Sequence, residues 1–413
     1  MNRVFTLVVS LLFASGSVAD ILIVDDDGKA DYESIQAAID DANDGDVIVV
    51  MTGTYTSTQN GHVVNLLGKA VTLRSSDPTN PNVVALTIID GEGSRRGLAC
   101  FNDETNSTVI DGFTISGCFA SQFDYNGDGQ LHWWENAGSG MMNYQSAPTI
   151  QNCSFNGNTA TTYAGGMFNY YSDPVLMNCI FQGNSTFTGG GMLNSYSNPI
   201  LTDCSFINNN ADYGGGMYNT GSQPTLVSCD FTNNTAYSGG GGMANYDGSS
   251  PWLIACDFSN NIANNGGGMA NYDYSSPTLD VCNVEYNNAF AGGGGISNYY
   301  DSSPVVNSCE FKSNTAFEFG GGMYNYFHSN PSVGNGSSFI NNTSFDAGGG
   351  MRNYRSSPTI TNCSFIDNSA ATYAGGIDNH ESSSPSLLNC SFIDNTADIG
   401  GGIANYFDSS PTL

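Results

Sequence analysis

Apolar and polar residues alternate over most of the chain, and the alternation recurs in similar words from about residue 140 to the C-terminus. In each repeat a Cys lies two positions before a Phe, and a Met or Ile lies two positions before an Asn. Alternate residues of a β-strand face the same side, so this spacing predicts short strands with one buried face. No repeat carries an apolar pattern long enough for a helix, and the Gly runs disfavour one.

Both motifs recur at a fixed interval, which is 25 to 28 residues for the first of them. The first motif, Cys-x-Phe-x-x-Asn, has Val284 in place of Phe in one copy and Ser337 in place of Cys in another. Its cysteines are Cys153, Cys179, Cys204, Cys229, Cys256, Cys282, Cys309, Cys363 and Cys390. The second motif, Gly-Gly-Met/Ile-x-Asn, ends at Asn169, Asn194, Asn219, Asn245, Asn271, Asn298, Asn325, Asn353, Asn379 and Asn405. A fixed period of this length indicates a solenoid.

We interpret each repeat as one rung of a parallel β-helix with three short strands and three turns. Stacked rungs lie about 4.8 Å apart, so about ten regular rungs would form a rod roughly 50 Å long. Equivalent residues then form columns, with Cys, Phe and Met or Ile inside and two columns of Asn at corners. An Asn at a corner tolerates the left-handed conformation, and its amide can bond to the same amide in the next rung. We expect the Gly pair to let the chain turn.

The N-terminal part predicts a cap on this rod. An amphipathic helix is predicted within residues 31 to 42, with Asp31 or Ser34 as its N-cap. Its apolar face consists of Ile35, Ala38, Ile39 and Ala42. The words SIQAAIDDANDGDVIVV and GTY resemble the opening of right-handed parallel β-helix proteins of the pectin-lyase-like superfamily. The resemblance implies an all-β fold, a right-handed parallel β-helix whose first rung is covered by a short N-terminal helix.

Five segments follow from these patterns. Residues 1 to 19 predict a signal peptide, with Arg3, an apolar run and Ser17-Val18-Ala19 at its end. Residues 20 to 62 form the cap and first rung, and residues 63 to 118 three irregular rungs, with strands near residues 71 to 73, 86 to 88 and 109 to 115. Residues 119 to 139 are an insertion, and residues 140 to 413 are the regular repeats. The last four residues begin another rung, so we expect a longer gene product or another element over that end.

The signal peptide predicts an exported protein. No later apolar run approaches the length of about 18 residues that a transmembrane helix needs. The pairing of Gly-Gly-Met/Ile with Phe-x-x-Asn resembles the polymorphic outer membrane protein repeat of bacterial surface and autotransported proteins. That resemblance implies a scaffold or adhesin-like protein that is secreted or lies on the outer surface of a bacterial cell.

Charge and cysteine content narrow the partners and the chemistry. The 413 residues include 9 Lys and Arg and 38 Asp and Glu, a net charge of −29, which disfavours nucleic acid and favours calcium as a partner. Nine of the 11 cysteines occupy one column. Side chains about 4.8 Å apart exceed the preferred Cβ separation of about 3.8 Å in a disulfide, so we predict a reduced, buried ladder. Cys100 and Cys118 lie outside it and are the candidate disulfide.

The insertion contains a candidate calcium loop. Residues 124 to 135 read DYNGDGQLHWWE, which matches the twelve-residue EF-hand loop position for position. The expected ligands are the side chains of Asp124, Asn126, Asp128 and Glu135 and the backbone carbonyl of Gln130. Gly129 would supply the sharp turn. Because flanking helices are not evident, we predict a single structural Ca²⁺ clamp, and the alternative is an acidic, Gly-rich surface loop.

The residue between Cys and Phe points outward and is polar or acidic on four consecutive rungs. These residues, the acidic column, are Asp230, Asp257, Asn283 and Glu310, with Lys312 beside them. One interpretation is a solvated face on which Lys312 pairs with its carboxylates. The alternatives are a second calcium site and the catalytic site of a calcium-dependent polysaccharide lyase or glycoside hydrolase, with Lys312 as base.

A column of Tyr follows the second motif in most repeats. This Tyr column comprises Tyr144, Tyr170, Tyr246, Tyr272, Tyr299, Tyr326, Tyr354 and Tyr406. Stacked one rung apart, the rings would suit sugar rings or a partner protein, or they would stack on one another and rigidify a turn. We therefore predict a non-catalytic β-helix scaffold that presents a repetitive binding surface to a carbohydrate or a cell-surface protein. The sequence leaves the oligomeric state open.

Overall fold

The computed structural model describes residues 19 to 57, 61 to 120, 129 to 130 and 136 to 412. Within these residues the chain winds into a parallel β-solenoid whose longest sheet has 14 strands, one for each turn. The predicted signal peptide, apart from Ala19, lies outside the described residues.

Three long sheets, named A, B and C, run along the solenoid, and their strands pair in parallel. Sheet A consists of Ile21–Val24, Val47–Val50, Thr72–Ser75, Val109–Asp111, Thr149–Gln151, Val175–Met177, Ile200–Thr202, Thr225–Val227, Trp252–Ile254, Thr278–Asp280, Val305–Asn307, Ser332–Gly334, Thr359–Thr361 and Ser386–Leu388. Sheet B consists of Gly53–Tyr55, Thr87–Asp90, Thr114–Ser116, Ser154–Asn156, Ile180–Gln182, Ser205–Ile207, Asp230–Thr232, Asp257–Ser259, Asn283–Glu285, Glu310–Lys312, Ser338–Ile340, Ser364–Ile366 and Ser391–Ile393. Sheet C consists of His62–Asn65, Arg96–Cys100, Met141–Tyr144, Met167–Tyr170, Met192–Ser195, Met217–Thr220, Met243–Tyr246, Met269–Asn271, Ile296–Tyr299, Met323–Tyr326, Met351–Tyr354, Ile377–His380 and Ile403–Asn405.

A fourth sheet, named D, corrects the prediction of three strands per rung. It has seven strands and lies between sheets B and C in each of its rungs. Its strands are Asn210–Tyr213, Thr235–Gly239, Ile262–Asn265, Asn288–Gly292, Thr315–Ala316, Thr343–Ser344 and Ser369–Ala370. Most of these strands bury one Ala, such as Ala236 or Ala263, between exposed neighbours. A strand this short, with one small buried residue, leaves no apolar pattern in the sequence.

The predicted inward-facing columns form one continuous core. In the Phe column, ring centroids of Phe181 and Phe206 lie 4.8 Å apart and the ring planes differ by 5°. All eleven cysteines are free, and the predicted ladder is confirmed, with eight of its nine cysteines buried in the core and Cys390 partly buried against it. The candidate disulfide between Cys100 and Cys118 is wrong. Cys100 ends a strand of sheet C, whereas Cys118 follows sheet B and directs its Sγ to the carbonyl oxygen of Ser116 at 3.2 Å.

The two Asn columns are confirmed as hydrogen-bonded ladders, but their residues do not adopt the left-handed conformation expected at a corner. The Asn169 Nδ2 donates to Oδ1 of Asn194 at 2.8 Å, and the Asn184 Nδ2 donates to Oδ1 of Asn209 at 3.0 Å. These side chains are buried and point along the axis. The left-handed conformation falls instead on exposed neighbours that precede a ladder residue, as at Asn208 with φ of +54°.

A helix covers the N-terminal end, as predicted. It spans Ile35–Asp41, with Ser34 as N-cap, and buries Ile35, Ala38 and Ile39. Lys69 Nζ donates to the carbonyl oxygens of Ile39, Asp40 and Ala42, which satisfies the C-terminal end of the helix. The described residues contain no helix long and apolar enough to span a membrane.

Two details of the irregular rungs differ from the prediction. A second helix, Pro81–Leu86, begins with Asn80 as N-cap and includes the start of a predicted strand. Pro81 at the first helical turn fits its fixed φ and missing N–H. The predicted strand over residues 109 to 115 is broken at Gly112, whose φ of +82° turns the chain from sheet A to sheet B.

The Gly pair of each repeat is required for close approach of neighbouring rungs, which corrects the expectation that it makes the turn. The left-handed residue precedes the pair, as at Gly266 with φ of +61°. A Cβ on Gly267 would lie 2.5 Å from the carbonyl oxygen of Asn288 and 2.6 Å from that of Gly294. Both atoms belong to the backbone of the next rung, so the clash could be relieved only by separating the rungs.

We expect Gly267→Ala to lower the free energy of unfolding by about 3 kcal/mol, because the added methyl group overpacks two backbone segments. The control is Gly248→Ala, at φ of +73° with no atom within 4 Å of the added Cβ. It should cost only the backbone strain, about 1 kcal/mol. Urea unfolding followed by circular dichroism measures both, and equal losses would contradict the role of close approach.

Candidate functional site

A concave groove runs along the outer face of sheet C. Side chains on the outer face of a solenoid sheet are ordinarily exposed. Phe168 and Ala244, however, are 0% exposed, and Leu193 is 3% exposed. The segment that precedes each Gly run covers them, and the ring centroids of Tyr163 and Phe168 lie 6.4 Å apart. We term this feature, formed by the outer face of sheet C and the residue before each Gly run, the axial groove.

The Tyr column lies in the axial groove, at the end of the sheet C strands. Centroids of Tyr246 and Tyr272 lie 4.5 Å apart, and those of Tyr272 and Tyr299 lie 5.0 Å apart. The Tyr299 hydroxyl donates to Oδ1 of Asn265 across the groove at 2.7 Å. Burial raises the pKa of Tyr246 and of Tyr299, so both phenols are neutral at pH 7. The rings therefore stack on one another, and they give the groove a rigid wall.

The Tyr column is interrupted on two consecutive rungs, where Ser195 and Thr220 stand in register with Tyr170 and Tyr246. Their small side chains leave a hollow of about 560 Å³ in the groove, which we term the aromatic hollow. Its lining comprises Thr162, Tyr163, Phe168, Phe187, Thr188, Leu193, Ser195, Tyr213, Tyr218 and Thr220. Sequence reasoning missed this site. The signal that could have found it is the pair of small residues in an otherwise aromatic column.

Five aromatic rings approach the aromatic hollow from both sides. Phe187, which is 48% exposed, forms the rim and meets Tyr213 edge to face with centroids 6.1 Å apart. Tyr218 stacks on Tyr246, the next ring of the Tyr column, at 5.2 Å and 23°. Because each ring is fixed by another ring, the hollow keeps its shape without a ligand.

None of the ten side chains that line the hollow is charged. A carboxylate lies at the edge, where Thr220 Oγ1 donates to Oδ2 of Asp247 at 2.8 Å. Burial, together with the charge of Asp247, raises the pKa of Tyr218, so its phenol stays protonated. The lining can stack against a ligand and exchange hydrogen bonds through hydroxyl groups. It contains no carboxylate, imidazole, amine or thiol that could act as an acid or base near neutral pH.

The acidic column lies on the outer face of sheet B, with the register expected from the sequence. Asp230 pairs with Asp257, and Asn283 pairs with Glu310 on the following rungs. The Asn283 Nδ2 donates to Oδ1 of Asp257 at 2.8 Å. Burial and the charge of Asp257 raise the pKa of Asp230. Lys312 Nζ lies 3.7 Å from Oε1 of Glu310, and both side chains are 41% exposed, the geometry of a weak surface ion pair.

The candidate calcium loop falls largely outside the described residues. Asp124, Asn126, Asp128 and Glu135 are not described, whereas Gly129 and Gln130 are. Gly129 has a φ of +80°, which fits the sharp turn at the sixth position of such a loop. In the described part of the chain, no group of three or more His, Cys, Asp or Glu side chains is placed to hold a metal ion.

A buried ionic cluster lies further along the axial groove. Arg352 Nε lies 3.5 Å from Oδ2 of Asp378, and its Nη1 lies 3.8 Å from Oδ2 of Asp346. The guanidinium lies 3.9 Å from the ring centroid of Phe319. Burial raises the pKa of Asp378 to about 6, although the charge of Arg352 opposes this. Asp378 has 0% exposure, so it anchors Arg352 from within and does not contact a ligand.

The sequence signal for this cluster is a break in a column. The position between Met or Ile and Asn is uncharged in every other repeat, and only Arg352 and Asp378 depart from that rule. Sequence reasoning missed that two consecutive rungs carry opposite charges at one buried position.

Comparison with known proteins agrees with this architecture. A family model described as a right handed beta helix region matches residues 96 to 258. The A-module of the mannuronan C-5 epimerase AlgE6 from Azotobacter vinelandii is similar with a TM-score of 0.50 and 12% identity, over 92% of this chain and 94% of that chain. The fold is a right-handed parallel β-helix. The fold class predicted from the sequence is thereby confirmed.

Two phage proteins show weaker likeness. The Siphovirus 9NA tailspike receptor binding domain has a TM-score of 0.34 and 9% identity, over 95% of this chain and 76% of that chain. The tailspike protein gp49 from Acinetobacter baumannii bacteriophage Fri1 has a TM-score of 0.32 and 11% identity, over 85% of this chain and 57% of that chain. At such identities a likeness extends to the fold alone. No curated protein sequence matches this chain.

Asp378 should make the free energy of unfolding fall as pH rises, and the variant Asp378→Asn should lack this dependence. Its folded-state pKa of about 6 lies above the ordinary value of 3.8, so the folded protein holds the proton more tightly than the unfolded chain does. The stabilisation of the folded state that results is fully present below the ordinary pKa of 3.8 and is lost as pH rises through about 6. We expect wild type to lose about 2 to 3 kcal/mol relative to Asp378→Asn between pH 4 and pH 7.

Urea unfolding at four pH values over that interval measures the difference. The control is Asp394→Asn, which removes an exposed carboxyl and should follow the wild-type profile. Parallel profiles of wild type and Asp378→Asn would contradict the role of the buried carboxyl.

Proposed function

We propose that this protein is a secreted or cell-surface β-helix scaffold that binds a carbohydrate chain in the aromatic hollow without altering it chemically. The observation that carries the proposal is the composition of the hollow, in which five rings and four aliphatic hydroxyl groups converge and no charge is present. Sugars present apolar C–H faces that stack on aromatic rings, and hydroxyl groups that pair with hydroxyl side chains.

The rigidity of the hollow supports binding. Tyr218 is held against Tyr246, and Tyr246 is held against Tyr272, in stacks of 5.2 Å and 4.5 Å. On the opposite side Tyr163 lies against Phe168. A preformed site loses little conformational entropy when it binds a ligand, so weak stacking contacts can add up to a measurable affinity.

A catalytic alternative rests on the acidic column. The raised pKa of Asp230 is the observation that favours a polysaccharide lyase or glycoside hydrolase there. The place of Lys312 weighs against it. Its Nζ lies 3.7 Å from Oε1 of Glu310 in a surface ion pair, so a substrate would have to compete with that carboxylate for the amino group.

The binding proposal is tested by filling the hollow. Ser195→Tyr places in the Tyr column the residue that most repeats already have, so the fold should accept it, and its ring should occupy the space of the ligand. We expect wild type to bind members of a glycan array and Ser195→Tyr to bind them at least tenfold more weakly. Isothermal titration with a bound oligosaccharide gives the ratio of dissociation constants.

The matched control is Ser205→Tyr, which adds the same ring on the outer face of sheet B, away from the hollow. It should bind as wild type does. Equal affinity of Ser195→Tyr and wild type would show that glycans bind elsewhere, and an array without any bound glycan would contradict carbohydrate binding.

We further propose that residues 124 to 135 hold one structural Ca²⁺, which fits the left-handed turn at Gly129. A bound ion stabilises the folded state by mass action. Glu135→Ala, which removes the bidentate ligand expected at the twelfth position, should therefore abolish the increase in melting temperature that calcium gives to wild type. Differential scanning calorimetry with and without calcium measures it. Equal increases in both proteins would contradict the site.

A further inference from the structure

We propose that the glycan held in the aromatic hollow is uncharged, and that carboxylated or sulfated glycans are excluded from it. The inference rests on the proposed carbohydrate binding and specifies the class of ligand. It does not rely on the resemblance to the pectin-lyase-like superfamily, because it is argued from the carboxylate partners of the few cations in this chain.

The repeats offer no Lys or Arg that is free to neutralise an anionic sugar. From residue 140 onward the chain has three such residues, Lys312, Arg352 and Arg355. Lys312 lies beside Glu310, and Arg352 lies between Asp346 and Asp378. Within the described repeats each of these cations therefore already has a carboxylate partner.

Arg355, which directly follows a strand of sheet C, is the most exposed of the three cations, and its ion pair is the shortest. Its Nε and Nη2 donate to Oε2 of Glu381 at 3.1 and 2.7 Å. The hydrogen bond to Arg355 lowers the pKa of Glu381, so the carboxylate stays ionised. Burial lowers the pKa of the neighbouring His380, which leaves that imidazole neutral at pH 7. A uronate or sulfate would have to displace Glu381 to reach the guanidinium.

The charges closest to the hollow are negative. Asp247 accepts a hydrogen bond from Thr220, a lining residue. Asp247 and Asp273 both act on Tyr218, another lining residue, and raise its pKa through their charge after the larger effect of burial. Asp212 adjoins Tyr213 on the other side of the hollow. A carboxylate on the ligand would lie within a screening length, about 10 Å, of these groups and would be repelled.

The remaining repeats strengthen that field. From residue 140 to the C-terminus there are nineteen Asp and Glu against the three Lys and Arg. The summed potential lowers the local concentration and the association rate of any anionic chain. A neutral glycan is not repelled, and the rings and hydroxyl groups of the hollow suffice to bind it.

The test compares oligosaccharides that differ only in charge. One pair is the hexamer of β-1,4-linked glucose and the hexamer of β-1,4-linked glucuronic acid, and a second pair is methyl-esterified and free galacturonic acid hexamer. Binding is measured by isothermal titration with the full chain, without added divalent cation, at low and at high salt. We expect the neutral member of a bound pair to bind at least tenfold more tightly at low salt, and the ratio to fall at high salt.

Asp247→Asn identifies the source of the discrimination. Asn tolerates the left-handed conformation that Asp247 adopts, with φ of +53°, and keeps an acceptor for Thr220. We expect this variant to narrow the ratio between neutral and anionic members by weakening the repulsion. Asp394→Asn, at an exposed position near the last rungs, should leave the ratio unchanged.

The outcomes separate the two proposals. Tighter or equal binding of the anionic members at low salt overturns the charge class and leaves carbohydrate binding intact. Failure of every member of both pairs, together with an array that shows no bound glycan, overturns carbohydrate binding and this inference with it.

Discussion

The axial register between rungs is the constraint on which the rest of this structure depends. Each residue of a sheet pairs with its equivalent one repeat later, as Asn143 pairs with Asn169. The Asn143 Nδ2 also donates to the Asn169 Oδ1 at 2.7 Å, inside the rod where no water competes. A slip by one residue would turn this amide and every core side chain to the wrong face. Register therefore fixes the columns, and the columns fix the core, the groove and the outer surface.

Once positions become columns, a departure from the repeat has a structural meaning. Ser195 and Thr220 stand where other rungs place Tyr, and the missing rings open the aromatic hollow. Arg352 and Asp378 stand where other rungs place small or apolar residues, and they fill the groove with an ion pair. A small residue in place of a large one creates space for a ligand. Two opposite charges at a buried position instead fill the space and neutralise each other.

The fixed positions of the columns also decide which charges lie beside one another. The chain has a net charge of −29 and therefore repels anions overall. An unpaired buried or half-buried cation would still attract anions locally. The three cations of the repeats each lie beside a carboxylate, so the groove offers hydroxyl groups and ring faces as its free contacts. This pairing of the cations is the arrangement from which we infer selectivity for neutral ligands.

The sequence by itself determined the solenoid and its inward columns, because these depend on the spacing of residues within one repeat and on its recurrence. It also determined the helical cap from its amphipathic pattern, but the structure decided that Ser34 and not Asp31 is the N-cap. The sequence did not determine sheet D, most of whose strands bury a single Ala, or the place of the left-handed corners on the neighbours of the ladder Asn residues. Only the tertiary structure decided that the outer face of sheet C is concave, because its cover comes from residues that precede the Gly run. Whether a ring such as Tyr213 borders a cavity depends on side chains from three rungs, and no spacing within one repeat records that.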